Sequence, residues 1–396
     1  MNILIVNDIP FYPQKGGIER VTDNLTREFI NFYQHKVYYC VTNADIIDDY
    51  NLPAPLYVLP QSSQLEDRRD YIKMLVKQNQ IDVVINQRGQ LVEFQNLVHG
   101  IGTKVINVIH SQPSAYIKLS TLGILNYYHT LLGIVKFIIK LLLYPIIYYN
   151  KKFDILSRTS QQYKCLLDTS DAIVLLSDRY IKEFNKIANS KTSSKCKIVG
   201  IPNPNTYNKI INSQSKKHTI LFVGRLCASE KNPMRLLRVW RLLHKTYKDW
   251  NIKFVGNGDA LDSMQRYVKS HNLERVIFCG EQSNVERYYA EASFICLTSN
   301  IEGWGMTLTE GMQYGCIPIA FSSYSAALDI IDDEINGCLI RPYSIRQYAS
   351  RLSSLMKDKS LRDKMSNAAR VKVKCFNVSN VARKWDCLFN ELYDDV

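Results

Sequence analysis

Residues 294–321 read FICLTSNIEGWGMTLTEGMQYGCIPIAF, and this stretch decides the fold. A short apolar run at 294–297 enters a loop that carries Gly303 and Gly305. A helix begins near Thr307 and its pattern continues through 310–314. A second apolar run follows at 317–321. Strand, helix and strand within about thirty residues make a βαβ unit. Continuous rather than alternating apolar character marks strands buried on both faces of a parallel sheet.

The same alternation extends outward on both sides. Towards the N-terminus lie a strand at 276–279, a strand at 251–255, a helix at 233–246 and a strand at 219–223. Before these, 206–218 is polar and reads as a linker, preceded by the turn Pro202-Asn203-Pro204. The first half repeats the pattern: strands at 2–7, 37–41, 81–85, 105–109, 172–176 and 197–200, with a helix at 18–32 after the first. Repeated βα units on both sides of a linker predict two doubly wound α/β domains. We assign 1–205 to the first and 217–377 to the second, and a last helical pattern at 378–393 opens the tail 378–396.

Composition narrows the function classes. The chain has 396 residues, 46% hydrophobic and 22% charged, which is globular composition. Its ten cysteines contain no C-x-x-C pair, which argues against a zinc module or a disulfide framework. The opening MNILIVND lacks the basic-then-apolar order of a signal peptide, so a cytoplasmic location is expected. The net charge of +13 is uneven: residues 104–168 hold eight lysines and arginines against two acids. Such a patch suits nucleic acid, an anionic membrane surface or a phosphorylated substrate.

The segment 122–149 stands apart. Its non-apolar positions Asn126, His129, Gly133, Lys136 and Lys140 are spaced three and four apart, one polar stripe on an apolar helix, and Pro145 kinks or restarts that helix. Two lysines in mid-run argue against a membrane span. A helix lying on an anionic leaflet and a plain core helix both fit. Lys151, Lys152 and the flanking tyrosines tilt the reading towards the membrane surface.

Four constellations carry chemistry. In the 299–315 stretch, backbone N–H groups of the loop and first helical turn have no partner within the helix, and with the helix dipole they form an anion site. Gly303, Trp304, Gly305, Met306 and Thr307 supply that site. Glu302 and Glu310 flank it and can hold hydroxyls; the bland alternative is two solvated acids. Secondly, Gly224-Arg225 ends one strand and Lys231 precedes the next helix, two cations where open α/β sheets bind ligands. Thirdly, Gly16-Gly17 before a helix allows close backbone approach, with Glu19 just beyond. Lastly, His110 ends the 105–109 strand. Gly256-Asn257-Gly258 is read only as a loop, because no third glycine completes a dinucleotide fingerprint.

Taken in order, these pieces resemble the family-4 glycosyltransferases, which have the GT-B fold: two Rossmann-like domains facing each other across a cleft. Gly16-Gly17 with Glu19 looks like the family's glycine loop, and His110 like its histidine near the donor sugar. Arg225 and Lys231 look like its diphosphate-binding pair, and Glu302 and Glu310 like its acid pair. Pro318 after Gly315, then Asp329 and Asn336-Gly337, also fit. Trp304 stands where phenylalanine is usual, which bears on donor-sugar preference.

The resemblance implies a retaining, metal-independent hexosyltransferase that uses a nucleotide-sugar, UDP-sugar favoured, and needs no cofactor. Arg225 and Lys231 would neutralise the leaving diphosphate, Met306 and Thr307 would give N–H groups to phosphate or sugar, Glu310 would hold the ribose, and Glu302 and His110 the transferred sugar. The tail helix would cross back to the first domain. The acceptor is expected to be a saccharide, lipid-linked, in bacterial surface polysaccharide synthesis, made by an enzyme peripheral to the inner membrane face. Two alternatives compete. One is an epimerase or sugar-binding protein of the same fold that performs no transfer. The other is a basic nucleic-acid-binding α/β protein, which explains neither the two domains nor the acid pair, so no nucleic-acid partner is expected.

Overall fold

The computed structural model describes residues 1–43, 50–62, 64–122, 144–189, 195–207 and 216–394. The chain divides into two compact units. One comprises Met1–Pro202 with Ala382–Val396, the other Asn203–Val381.

In the first unit the elements run β1 (Asn2–Asn7), α1 (Gly17–Asn31), β2 (Lys36–Val41), β3 (Leu56–Val58), α2 (Leu65–Gln78), β4 (Val83–Asn86), α3 (Val92–Val98), β5 (Lys104–Ile109), α4 (Ala115–Leu122), α5 (Tyr144–Thr169), β6 (Ala172–Leu175), α6 (Ile181–Ala188) and β7 (Lys197–Gly200). The strands form one parallel sheet in the order β3-β2-β1-β4-β5-β6-β7. Ile3, Leu4, Ile5 and Val6 are all essentially inaccessible, which accounts for the unbroken apolar run of β1. On one face Leu4, Val6, Cys40, Val84 and Val105 pack with Ile72 and Leu75 of α2 and Phe94 and Leu97 of α3. The expected strand at 81–85 begins two residues later. Gln80 takes a left-handed conformation (φ 48°) and the Ile81 N–H closes onto the Val76 carbonyl, so Ile81 belongs to the turn out of α2.

In the second unit come β8 (Lys217–Val223), α7 (Met234–Leu243), β9 (Asn251–Val255), α8 (Leu261–Ser270), β10 (Val276–Phe278), α9 (Glu286–Glu291), β11 (Ala292–Leu297), α10 (Met306–Gln313), β12 (Ile317–Phe321), α11 (Ala327–Ile330), β13 (Cys338–Ile340), α12 (Ile345–Lys357) and α13 (Lys359–Lys372). Its parallel sheet has the order β10-β9-β8-β11-β12-β13. Phe222, Phe254 and Phe278 on β8, β9 and β10 stack across it at 5.5–5.8 Å. The helix expected over 233–246 ends at Leu243, where the N–H groups of Thr246 and Tyr247 both turn back to the Leu243 carbonyl.

Helix α14 (Val378–Asp394) starts in the second unit and belongs to the first from Ala382 onward. Its buried Trp385, Leu388, Phe389 and Leu392 share one face. Phe389 meets Phe29 edge-on at 5.6 Å, Asp386 bonds His35 at 3.0 Å, and the Tyr393 hydroxyl donates to the Asp82 carbonyl at 2.6 Å.

Two sequence expectations need restating. The amphipathic reading of 122–149 falls mostly on 123–143, outside the described residues; of the rest, Pro145 lies in the described part of α5. The polar stretch 206–218 is not a free linker at its start, because Thr206 is buried and Tyr207 is held through its carbonyl by Gln313 at 2.7 Å. All ten cysteines are free thiols. Among the described residues, no helix is long and apolar enough to cross a membrane.

Candidate active site

In the second unit the chain winds from β8 outward through β9 and β10, then returns to β11 and winds the other way. The crevice at the carboxyl ends of β8 and β11 is therefore a topological switch point, where open α/β sheets bind ligands. Both halves of the predicted site fall there. Lys231 follows β8, Glu302 follows β11, and the lysine ammonium lies 2.7 Å and 2.6 Å from the two carboxylate oxygens. The Ser299 hydroxyl donates to the same carboxylate at 2.7 Å.

Neither acid is solvated, contrary to the bland reading: Glu302 is 6% exposed and Glu310 4%. An ammonium has three donors, and Glu302 takes two directions of Lys231 among the described residues. Arg225 is 65% exposed and pairs with Glu230 at 2.7 Å. The two predicted cations thus each carry a carboxylate already.

The loops around this pair are stitched together by hydrogen bonds. Asn300 donates its backbone N–H to the Glu230 carbonyl (2.6 Å) and its side-chain amide to the Ser229 carbonyl (2.8 Å). The Thr298 hydroxyl reaches the Asn232 carbonyl at 2.9 Å, and Arg235 bonds both the Thr298 carbonyl and the Asn300 side chain. Gly224-Arg225-Leu226 runs against Gly256-Asn257-Gly258. A Cβ at Gly256 (φ 134°) would collide with the Gly224 carbonyl oxygen. Residues 256–258, read from sequence as a mere loop, are thus the floor under Arg225.

Gly305 (φ 96°) precedes α10 in a left-handed conformation, and a Cβ there would lie 2.7 Å from the Tyr324 hydroxyl. That turn places the N–H groups of Met306 and Thr307 at the start of the helix, next to Glu302-Gly303. Trp304 is buried edge-on against Phe376 at 5.0 Å, and its indole N–H has no hydrogen-bond partner among the described residues. Glu310, on α10, accepts a hydrogen bond on each oxygen: from Thr206 at 2.8 Å and from Tyr289 at 2.7 Å.

The first unit has its own switch point, between β1 and β4. Asp8 just after β1 forms an ion pair with Arg88 just after β4. Gly16 leads into α1 in an extended conformation, with Gly17 the first helical residue, and the buried Glu19 accepts from Asn7 at 3.4 Å. His110 follows β5 and its Nε2 lies 2.6 Å from the Gln87 side-chain oxygen. Burial, with the Arg88 charge nearby, pushes its pKa down to about 3, so the ring is neutral. Its Nδ1 is buried with no hydrogen-bond partner among the described residues. Beside it the Ser111 hydroxyl donates to Gln90 at 3.1 Å.

A family model described as glycosyl transferases group 1 matches residues 203–372. A Haemophilus influenzae protein named an uncharacterized glycosyltransferase is 30% identical over 258 residues, 64% of this chain and 70% of that one. The chain is a group 1 glycosyltransferase. A Campylobacter jejuni protein is 31% identical over 182 residues, 46% of this glycosyltransferase and half of its own length. Its name is GalNAc-alpha-(1->4)-GalNAc-alpha-(1->3)-diNAcBac-PP-undecaprenol alpha-1,4-N-acetyl-D-galactosaminyltransferase. Among solved structures, a lipopolysaccharide outer core galactosyltransferase aligns over 100% of both chains with a TM-score of 0.68 at 18% identity. A pneumococcal O-GlcNAc transferase in complex with UDP and GlcNAc aligns over 99% of both with a TM-score of 0.69 at 13% identity. These likenesses establish the GT-B fold.

Within this glycosyltransferase the structure brings Lys231 and Glu302 into contact, and sets Arg225 and Glu310 in separate pairings of the same unit. Gly16, Gly17 and His110 belong to the first unit. Sequence reasoning missed Ser299, Thr206, Tyr289 and Gln87. Ser299, three residues before Glu302, was open to discovery from its place in the same loop. The other three reach their carboxylate or imidazole from 21 to 104 residues away. No local pattern signals such pairs.

Proposed function

We propose that this glycosyltransferase is retaining and metal-independent, and that it moves a hexose or N-acetylhexosamine from a UDP-sugar to a saccharide acceptor. The observation that carries the reading is the buried Lys231–Glu302 pair at the β8/β11 switch point, beside the N–H groups that open α10. Arg225, Lys231 and the first-turn N–H groups stabilise the diphosphate as it departs, the electrostatic role that a metal plays elsewhere. Glu310 holds the ribose and Glu302 a hydroxyl of the transferred sugar.

The acceptor hydroxyl attacks the anomeric carbon on the face from which the phosphate leaves. The C–O bond to phosphate breaks, and the hydroxyl proton passes to the departing phosphate oxygen. His110, neutral and in the first unit, contacts the sugar without carrying charge.

For the acceptor, a groove of about 450 Å³ in the first unit supports a saccharide. It is lined by Gln90, Glu93, Tyr116, Arg158 and Gln162 among others, and Gln90 links it to Ser111 beside His110. Polar side chains around an exposed aromatic suit a sugar ring. The names of relatives favour a lipid-linked or polymeric acceptor in bacterial surface polysaccharide synthesis.

A membrane-surface location is supported by α5, where Tyr149, Phe153 and Leu156 lie four and three residues apart, all exposed, beside Lys151 and Lys152. A protein that fails to float with anionic vesicles at low salt would rule that location out.

Thermal melting against UDP, GDP, TDP and ADP in EDTA tests the main reading. Ligand at a hundred times its Kd adds about 2.7 kcal/mol to stability. UDP is expected to raise Tm under these conditions, and no shift with any diphosphate would sink the proposed site. The anomeric configuration of the product, read by NMR, decides retention. Turnover of the nucleotide-sugar to an epimer without acceptor would favour the epimerase alternative.

A further inference from the structure

We propose that Asp8 and Arg88 clamp two neighbouring hydroxyls of the acceptor sugar; the inference rests on the saccharide acceptor proposed above. The two side chains meet at the β1/β4 switch point of the first unit, where open α/β sheets bind ligands. Their ion pair uses one nitrogen of Arg88, Nη2, and one oxygen of Asp8, Oδ2. A bidentate fork would have used two of each. Among the described residues, Asp8 Oδ1 and Arg88 Nη1 have no hydrogen-bond partner, and both atoms reach solvent. Each side chain is 28% exposed.

The pair thus presents an acceptor beside a donor, at zero net charge. Asp8 would repel an anionic ligand and Arg88 a cationic one. A vicinal diol suits both: one hydroxyl donates to the carboxylate, and the neighbouring oxygen accepts from the guanidinium. Both groups are held in place. The Asp8 carbonyl accepts the Thr42 hydroxyl at 3.0 Å and the Asn43 N–H at 2.9 Å. The Arg88 N–H donates to the Asn86 side chain at 3.0 Å, and the Arg88 carbonyl accepts the Leu91 N–H at 2.8 Å, closing a turn over 88–91. Gly89 presses that turn onto β5, where a Cβ would lie 2.7 Å from the Asn107 Cβ. Gln90 and Leu91 of the same turn line the groove assigned to the acceptor. Clamp and groove therefore share one backbone turn, ordered before any sugar binds.

The test is acceptor kinetics on the full chain. UDP-glucose, UDP-galactose, UDP-GlcNAc and UDP-GalNAc are offered with the octyl glycosides of the same four sugars, and the fastest pair is kept. In Asp8→Asn and in Arg88→Gln, KM for the glycoside should rise about ten-fold, the scale of one hydrogen bond to a charged group. KM for the nucleotide-sugar should stay as in wild type. Monodeoxy glycosides locate the diol. Removing either of two adjacent hydroxyls should raise the wild-type KM by a similar factor, and the variants should add little to that loss. The rise in Tm with UDP verifies that each variant is folded; if one does not fold, the other decides. A wild-type glycoside KM in the variants overturns the proposal. So does an equal loss on the parent and every deoxy glycoside, which marks a structural tie, and so does a rise in the nucleotide-sugar KM alone, which puts the diol on the transferred sugar. All three leave the saccharide acceptor standing. A wild type that transfers to none of the glycosides overturns that reading, and the proposal with it.

Discussion

The two switch points of this chain are built from the same topology but from different chemistry. In the second unit the carboxyl ends of β8 and β11 carry a lysine, an arginine and two buried glutamates, over loops whose glycines let backbone meet backbone. In the first unit the corresponding positions carry one ion pair, Asp8 with Arg88, set among amides and a neutral imidazole: Asn7, Asn86, Gln87, Asn107 and His110. Asn86 bonds Asn107 at 2.6 Å, and Asn107 bonds Ser170 at 2.8 Å, one polar chain across β4, β5 and the end of α5. The difference fits the two kinds of substrate proposed above. A diphosphate is held by fixed charge and N–H dipoles. A neutral saccharide is held by groups that both donate and accept without the cost of burying charge.

Perturbing the two ends should therefore give effects of different size and kind. The largest belongs to Lys231. On the role proposed for Lys231, Lys231→Ala removes a cation that stabilises the leaving phosphate and strands Glu302, so turnover should fall by about 10²-fold, as for loss of one preorganised donor. Wild-type steady-state rates in that variant would remove its role.

Next is the backbone floor. Gly256→Ala pushes a methyl group into the Gly224 carbonyl at a positive φ, and should destabilise the chain by about 2 kcal/mol or more in denaturant melts. An unchanged midpoint would mean that the loops are not in contact.

His110 gives a smaller, pH-dependent effect. Its folded pKa is pushed down to about 3 against an unfolded 6.5 by burial, with the Arg88 guanidinium facing it and Asp8 paired to Arg88. Above pH 6.5 the ring is neutral in both states and contributes nothing. As pH falls from 6.5 towards 3, the unfolded chain takes up a proton that the folded chain refuses. Stability is then lost at up to about 1.4 kcal/mol per pH unit. Melting of His110→Gln against wild type over this range should show a shallower acid slope, and parallel slopes would place the ring in contact with water.

The smallest effect is expected at Gln87. Gln87→Leu frees the imidazole orientation without removing charge, so a few-fold loss of turnover is expected, near the net worth of one neutral hydrogen bond. A loss as large as that of Lys231→Ala would erase the contrast between the two ends.

The sequence by itself determined the two parallel α/β halves. Apolar runs such as 2–7 and 317–321 are continuous because both faces of a parallel strand are covered, and that is a local property of composition. It also marked Lys231, Glu302 and Glu310, because charged residues at strand ends and glycine turns before helices are local too. The burial of those acids, the Lys231–Glu302 pair, the Gln87–His110 contact and the approach of Gly256 to Gly224 were decided only by tertiary structure. The same holds for the anchoring of Thr206 and Tyr289 on Glu310, across 104 and 21 residues. Hydrogen bonds between side chains distant in sequence depend on how sheets and helices pack, and no periodicity along one chain records that.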